Sequence, residues 1–270
     1  MGTKPEARIT PAARTRGWLP KQHGAWAMLV VPLLLGVLAA GQAGELSSAH
    51  ITLFPFWLLG YFAFNAASGW LKTAARLRPR YVPAIVTYSL AATVFGIATL
   101  ALAGWRLLLW VPVFGVLLVP ALWLASQRKE RATIGGFLTT LAAALMLPVA
   151  RYLAWASVPK LAWPNDLPEV LAVTGVVFLY FFGTVLYVKT NIRQRGSRRY
   201  LIASYGYHLV TLVLAAVLYG VGLLPGWWLG IAAVLLVRAV IVPRLRLRPA
   251  PIGIIEVVIS SAILVLAVVL

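Results

Sequence analysis

The sequence predicts an all-α, multi-pass membrane protein with nine transmembrane helices, and two observations lead to that prediction. Of the 270 residues, 61% are hydrophobic and only 11% are charged, whereas a soluble domain has about a quarter of its residues charged. The 24 lysine and arginine residues give a net charge of +18, and they concentrate in every second loop. Soluble domains, disordered chains and nucleic-acid-binding proteins are excluded, because basic chains of those classes are polar.

Nine apolar runs are long enough to cross a bilayer, whose core of about 30 Å requires about 20 residues per helix. Each run is bounded by proline, glycine or charged residues. In chain order the runs cover residues 24 to 41, 51 to 71, 83 to 104, 107 to 126, 134 to 153, 168 to 188, 200 to 222, 226 to 243 and 252 to 270. The chain thus divides into a basic cytoplasmic tail, residues 1 to 23, and one transmembrane domain, residues 24 to 270.

Two alternatives to this division stay open. One of the spans is merged or split, with the third and fourth runs around Gly104, Trp105 and Arg106 as the first candidates. The N-terminal pattern of basic residues, an apolar run and small residues also fits a cleaved secretory signal. Against that signal, Trp26 and Pro32 lie inside a run that is long enough to span.

The positive charges orient the helices. All but three of the lysine and arginine residues lie in the N-terminal tail or in and beside the loops after the second, fourth, sixth and eighth runs; the exceptions are Arg106, Arg151 and Lys160. Because cytoplasmic loops carry the excess of lysine and arginine, we expect the N-terminus inside and the C-terminus outside a bacterial cytoplasmic membrane. The bilayer is the first expected partner, and no nucleic-acid partner is expected.

A short motif occurs twice, at the ends of the second and sixth runs. Its copies, 117 residues apart, are Lys72-Thr73-Ala74-Ala75-Arg76-Leu77-Arg78 and Lys189-Thr190-Asn191-Ile192-Arg193-Gln194-Arg195. Aromatic residues agree at the same shift: Tyr61 with Phe178, Phe64 with Phe181, and Trp70 with Tyr187. Four helices separate the copies, so both lie on one side of the membrane. We predict two parallel four-helix repeats followed by a terminal helix.

The residue types of the motif predict an anion-binding site at the cytoplasmic mouth between the repeats. Lysine and arginine four residues apart on a helix point the same way, and arginine binds phosphate or carboxylate through a planar fork. The expected ligand-binding residues are Lys72, Arg76, Arg78, Lys189, Arg193 and Arg195, together with His23 and Asn65. The alternative is that these loops only set the topology and meet anionic headgroups.

Ionisable residues inside apolar runs are costly and often functional. Arg238 and Glu256 lie at similar depth in the eighth and ninth runs and predict a structural ion pair, with catalysis or proton movement as the alternative. His208 predicts a hydrogen-bonded core residue, or else a ligand or proton relay. Asp166 and Glu169 predict a solvated turn and a helix start. We expect no metal or other cofactor, because cysteine is absent and the three histidines share no ligand spacing.

The first run opens with Pro20-Lys21-Gln22-His23-Gly24-Ala25-Trp26-Ala27-Met28, followed by Val31-Pro32-Leu33-Leu34-Leu35-Gly36. The later stretch from Lys189 to Tyr200 adds the pattern K-T-x-I-R-x-R-G-x-R-R-Y. With these residues the chain resembles the YwiC-like family of bacterial membrane proteins over its whole length. The resemblance implies a multi-pass membrane protein and no particular activity.

At the level of the fold, nine helices with related motifs at the ends of the second and sixth resemble the UbiA-type intramembrane prenyltransferases. The first motif of that family, Asn-Asp-x-x-Asp-x-x-x-Asp, holds a prenyl diphosphate through Mg²⁺. Here Asn65 is followed by Ala66, Gly69 and Thr73 in place of the three acids. Since Mg²⁺ requires carboxylate oxygens, the resemblance implies a site in which basic residues hold the phosphate directly.

The sequence therefore predicts binding of an anionic lipid or a phosphorylated small molecule in a cytoplasmic-facing intramembrane cavity. Whether a reaction follows, as in a diverged UbiA-like transferase, stays open. One alternative is a secondary transporter for a small anion, with His208, Arg238 and Glu256 along its path. Another is an accessory subunit of a membrane enzyme complex, and protein partners are not predicted.

Overall fold

The computed structural model of the chain describes residues 17 to 20, 24 to 129, 132 to 154 and 164 to 269. Within these ranges the regular structure is entirely helical. Nine helical segments are long and apolar enough to cross a membrane, so the all-α class and the nine spans are confirmed for this part of the chain. His23 and nearly all of the basic N-terminal tail lie outside the described residues.

The helices follow the predicted runs to within a few residues. They are α1 (Gly24–Gln42), α2 (Ala49–Lys72), α3 (Val82–Ala103), α4 (Trp110–Ser126), α5 (Thr133–Ala144), α6 (Met146–Arg151), α7 (Leu167–Val188), α8 (Arg198–Gly220), α9 (Trp227–Leu245) and α10 (Pro249–Val269). Two 3₁₀-helices, Ala75–Tyr81 and Trp105–Leu109, precede α3 and α4. A π-helix, Lys189–Arg193, continues α7.

The third and fourth spans are separate helices. Gly104 follows α3 with a φ of 106°, a backbone conformation that residues with a Cβ rarely adopt. The chain reverses there and enters α4 through the 3₁₀-helix. The alternative in which these two runs merge into one span is therefore wrong.

The fifth span consists of two helices, because proline interrupts it. Pro148 has no N–H to donate to the carbonyl of Ala144, four residues earlier, and its ring crowds that carbonyl. Accordingly α5 ends at Ala144 and α6 begins at Met146. The short α6 is buried along its whole length.

Helix α1 lies at the centre of the bundle and packs against α2, α5, α6, α7 and α10. Its contact with α6 is especially close: a Cβ on Gly36 would lie 2.3 Å from the carbonyl oxygen of Leu147. In the first half of the chain α2 packs against α3 and α4, and in the second half α7 packs likewise against α8 and α9. Both helices that end in the K-T-x-x-R-x-R motif therefore flank α1.

Helix α3 lies at the periphery, with exposed aliphatic side chains at Val86, Leu90, Val94 and Ile97. Lipid tails are as apolar as these side chains, so such a face suits the hydrocarbon of a bilayer. Polar residues instead gather at the helix ends and at one place inside the bundle. We call the end where the loops after α2, α4, α7 and α9 lie the basic face, and the other end the opposite face.

Candidate functional site

The first copy of the motif lies where α2 ends. Its last helical residue is Lys72, and Thr73 is extended, with φ of −89° and ψ of 145°. The hydroxyl of Thr73 donates to the carbonyl oxygen of Gly69 at 2.7 Å and takes the place of the backbone N–H that would continue the helix. The expectation that Lys72 and Arg76 lie one turn apart on a helical extension is therefore wrong for this copy.

The second copy differs, because α7 does not stop. It continues as the π-helix Lys189–Arg193, in which the N–H of Gln194 donates to the carbonyl of Lys189 at 2.8 Å. Lys189 and Arg193 therefore lie on one helical segment, as the spacing predicts. The ammonium of Lys189 donates to the hydroxyl of Thr133 at 2.9 Å, which ties the segment to the start of α5.

In spite of this difference, the threonines of the two copies make the same bond. Each hydroxyl donates to the carbonyl oxygen four residues earlier, Thr73 to Gly69 at 2.7 Å and Thr190 to Leu186 at 2.9 Å. Such a bond satisfies one of the carbonyls left free at a helix end. Threonine therefore has one local role in both copies.

The last arginines of the two copies also correspond. The Nε of Arg78 donates to the carbonyl of Thr73 at 3.2 Å, and the Nε of Arg195 donates to the carbonyl of Asn191 at 2.8 Å. Arg78 in addition stacks on the ring of Trp70, 4.7 Å from its centroid. Both guanidinium groups are thus held against the helix end that precedes them.

The first arginines of the two copies have no partner in the described part of the chain. Arg76 and Arg193 are exposed, and among the described residues neither has a hydrogen bond or an ion pair. Lys72 is half-buried at the end of α2. Asn65 is half-buried two turns earlier on the same face of that helix. His23, the remaining predicted residue, lies outside the described residues.

A second set of polar side chains lies inside the bundle, where α7 packs against α8, α9 and α10. The buried guanidinium of Arg238 on α9 forms an ion pair with the buried carboxylate of Glu256 on α10. The other oxygen of Glu256 accepts a 2.6 Å bond from the hydroxyl of Thr184 on α7. Tyr180 and Ser260 share a 2.8 Å hydrogen bond next to this pair.

The guanidinium of Arg238 lies 4.0 Å from the ring centroid of Tyr187. Its Nε and Nη2 are fully buried and meet no acceptor among the described residues, and the buried hydroxyls of Tyr187 and Ser204 have no partner there either. Buried polar groups normally have partners, so these four atoms are open to a ligand or an ordered water. We name the eight residues around them the buried polar cluster: Tyr180, Thr184, Tyr187, Ser204, His208, Arg238, Glu256 and Ser260.

His208 is 2% exposed and has a defined tautomer. Its Nδ1 lies 2.7 Å from the carbonyl oxygen of Ser204, and since a carbonyl only accepts, Nδ1 carries the proton. The neutral ring then presents Nε2 as an acceptor, and that atom is buried without a partner. A Cβ on Gly183 would lie 3.2 Å from Nε2, so the acceptor faces α7 beside Thr184.

Sequence reasoning missed the residues of α7 in this cluster. Tyr180, Thr184 and Tyr187 are spaced by four and three residues, which places them on one face of a helix. That spacing inside an apolar run, together with the nearby Arg238 and Glu256, was the available signal. It is weak, since threonine also occurs at ordinary contacts between membrane helices and tyrosine at membrane interfaces.

A third set of polar side chains forms ion pairs at the opposite face. Arg151 at the end of α6 is 5% exposed, and its Nη1 donates to Glu45 at 2.5 Å. Its Nε and Nη2 both meet Oδ2 of Asp166, at 2.8 and 2.7 Å. Burial and the Asp166 carboxylate raise the pKa of Tyr152. Asp166 lies in a turn and its side chain is partly exposed, as expected, but its carboxylate also joins this turn to α6. Glu169 is in the first turn of α7.

In the described part of the chain, nine helical segments long and apolar enough to span a membrane define an integral, multi-pass membrane protein. Residues 19–151 match the family model described as YwiC-like protein. A relative, "Uncharacterized protein YwiC" of Bacillus subtilis (strain 168), is 31% identical over 208 residues, which are 76% of this chain and 79% of that protein. The chain belongs to the YwiC-like family.

A second relative is an "Uncharacterized protein" of Haemophilus influenzae. It is 26% identical over 257 residues, which are 92% of this chain and 96% of that protein. The similarity therefore extends over nearly the whole length of both chains. No solved structure matches the chain.

Proposed function

We propose that this protein binds the phosphate of an anionic lipid or of a phosphorylated small molecule at its basic face, between the two copies of the motif. One observation carries the proposal. At two equivalent helix ends, one arginine is held against the helix while the other, Arg76 or Arg193, is exposed without a partner in the described part of the chain.

The contacts of the four arginines indicate two different roles. Arg78 and Arg195 bind carbonyl oxygens through Nε, and Arg195 reaches the carbonyl of Leu247 as well. These bonds fix the shape of the two loops. Arg76 and Arg193 keep their planar forks for two oxygens of one phosphate, and an anion between them offsets the repulsion of two like charges.

The remaining predicted residues complete the proposed site. Lys72 ends α2 and Lys189 begins the π-helix after α7, and both add positive charge near Arg76 and Arg193. Asn65 adds a polar group two turns inside α2, and His23, which lies outside the described residues, is a further expected ligand. The cavity would face the cytoplasm if the N-terminus lies inside, and the lipid tail would run between apolar helices. Basic residues would then hold the phosphate that a UbiA-like enzyme holds through Mg²⁺.

The first test is to measure which phosphates the purified protein binds. Native mass spectrometry of the wild type is compared with the double variant Arg76→Gln/Arg193→Gln, using phosphatidic acid as a lipid and glycerol 3-phosphate as a free phosphate. The matched control is Arg244→Gln/Arg248→Gln, which removes two exposed arginines of the basic face outside the motif.

We expect the wild type and the control to retain one of these probes, and the motif variant to lose it. Retention of phosphatidic acid alone identifies a lipid ligand, and retention of glycerol 3-phosphate identifies a small molecule. Equal retention by the motif variant and the wild type would contradict the proposal, because the basic loops would then serve topology alone.

A further inference from the structure

We infer that the buried polar cluster is a binding site for a small carboxylate-like anion, held by the free edge of Arg238 and accompanied by a proton on His208. This inference goes beyond the proposed function, since it concerns a different ligand and different residues. It starts from a comparison of two buried arginines within the molecule.

Arg151 and Arg238 are both 5% exposed and both pair with a glutamate through Nη1. In Arg151 the opposite edge of the guanidinium, formed by Nε and Nη2, is filled by the carboxylate of Asp166. In Arg238 the same edge meets no acceptor among the described residues. Arg151 therefore illustrates the occupant that suits such an edge, namely a carboxylate.

The surroundings of Arg238 favour an occupant with several acceptor oxygens. Nε and one N–H of Nη2 point in parallel from one edge and match two oxygens of a planar anion. The hydroxyls of Tyr187 and Ser204 are buried without partners and are able to donate as well. The ring of Tyr187 covers one side of the guanidinium, which fixes its plane.

The anion must be small, because the free edge of Arg238 is fully buried. A separate cavity of about 10 Å³ lies farther from the basic face, between Tyr180, Thr211 and apolar side chains of α7, α8 and α9. Arg238 does not line it, and its volume suits a water molecule. Formate and bicarbonate are the smallest anions of the required shape.

Binding of an anion in the cluster requires a proton to balance its charge. Glu256 already neutralises Arg238, so an added anion leaves the cluster with a net negative charge at low dielectric, which is costly. Neutral His208 has a free acceptor, Nε2, in the same region. Uptake of one proton from the solvent onto Nε2 restores neutrality and turns this acceptor into a donor.

His208 is the group in this region whose ordinary pKa suits such uptake. The other titratable or charged groups in this region are tyrosines, lysine, arginines and the carboxylate of Glu256, which is held in the ion pair with Arg238. They are Tyr180 and Tyr187 on α7, Lys189 and Arg193 on the π-helix, Tyr205 and Tyr207 on α8, Arg238 on α9 and Glu256 on α10.

The inference is tested with purified protein and formate in weakly buffered detergent solution, where a pH indicator reports proton uptake. Wild-type protein should bind formate and take up about one proton per formate. Arg238→Lys keeps the positive charge opposite Glu256 but removes the two parallel N–H groups of Nε and Nη2. The affinity for formate should therefore fall about tenfold or more. The matched control, Arg151→Lys, makes the same change on the opposite face and should bind formate like the wild type.

His208→Gln should bind formate more weakly and without proton uptake. The Arg76→Gln/Arg193→Gln variant should behave like the wild type toward formate, so failure of the motif site and failure of this site are distinguishable. The inference is overturned if wild-type protein binds neither formate nor bicarbonate. It is also overturned if Arg238→Lys binds formate as tightly as wild type, or if proton uptake persists in His208→Gln.

Discussion

Single side chains decide most of what the polar groups of this protein can do. Thr73 ends α2 by bonding Gly69, whereas Thr190 makes the corresponding bond in a helix that continues. The same residue type thus supports two backbone shapes in two copies of one motif. The chemical similarity between the copies therefore lies in these side-chain bonds of the threonines and of Arg78 and Arg195, and not in the backbone.

A prediction at this scale concerns the buried ion pair. Arg238→Gln leaves the carboxylate of Glu256 buried without its partner, which costs about 3 to 5 kcal/mol. The double variant Arg238→Gln/Glu256→Gln removes both charges and should be markedly more stable than the single variant. Thermal unfolding in detergent, followed by tryptophan fluorescence, measures the difference. A double variant as unstable as Arg238→Gln would contradict this account, because the instability would then not come from the unpaired charge of Glu256.

Among whole elements, α1 and α6 show how closely helices approach in this bundle. Gly36 has no Cβ, and the carbonyl of Leu147 occupies the space where one would lie. Small residues at such crossings permit the dispersion contacts and short distances that hold membrane helices together. The break at Pro148 separates α5 from α6 and aligns α6 with this crossing.

Gly36→Ala should therefore separate α1 from α6 and destabilise the protein by about 1 to 3 kcal/mol. Gly60→Ala on α2 is the matched control, because a Cβ there meets nothing within 4 Å. The midpoint of thermal unfolding should fall for the first variant and stay near the wild-type value for the second. Equal midpoints for both variants would contradict the packing described for α1.

The sequence predicts the positions of the helices but not how they end or which side chains they bring together. Apolar runs predict all nine spans, because length and hydrophobicity alone decide whether a segment can cross a bilayer. They do not predict that α2 stops at Lys72, since the threonine after it makes the same hydroxyl bond as Thr190, which lies in a helix that continues. Nor do they predict the buried polar cluster, since Thr184, Arg238 and Glu256 meet only through the packing of three helices.

On the scale of the whole molecule, the basic loops imply a fixed orientation in the membrane. Because loops rich in arginine and lysine stay in the cytoplasm, we expect the basic face, both copies of the motif and the entrance to the proposed phosphate site to lie inside the cell. The buried polar cluster would then lie in the inner half of the bilayer, about one to three turns from the basic face on α7, α8 and α9.

Single-cysteine labelling tests this orientation, and the absence of native cysteine makes the experiment simple. Ser48→Cys on the opposite face should react with a membrane-impermeant maleimide in intact cells. Gln194→Cys on the basic face should react only after the cells are permeabilised. Both positions are exposed. The reverse labelling pattern would place the motif outside the cell and contradict the cytoplasmic site.

The most direct test of the proposed phosphate site is a double-mutant cycle between its two halves. Dissociation constants for phosphatidic acid and for glycerol 3-phosphate are measured with wild-type protein, Arg76→Gln, Arg193→Gln and the double variant. For the probe that binds, each single variant should weaken binding about tenfold or more. The double variant should lose less than the sum of the two free energies, because both arginines hold one phosphate. Strictly additive losses, or no loss, would contradict a site shared by the two copies.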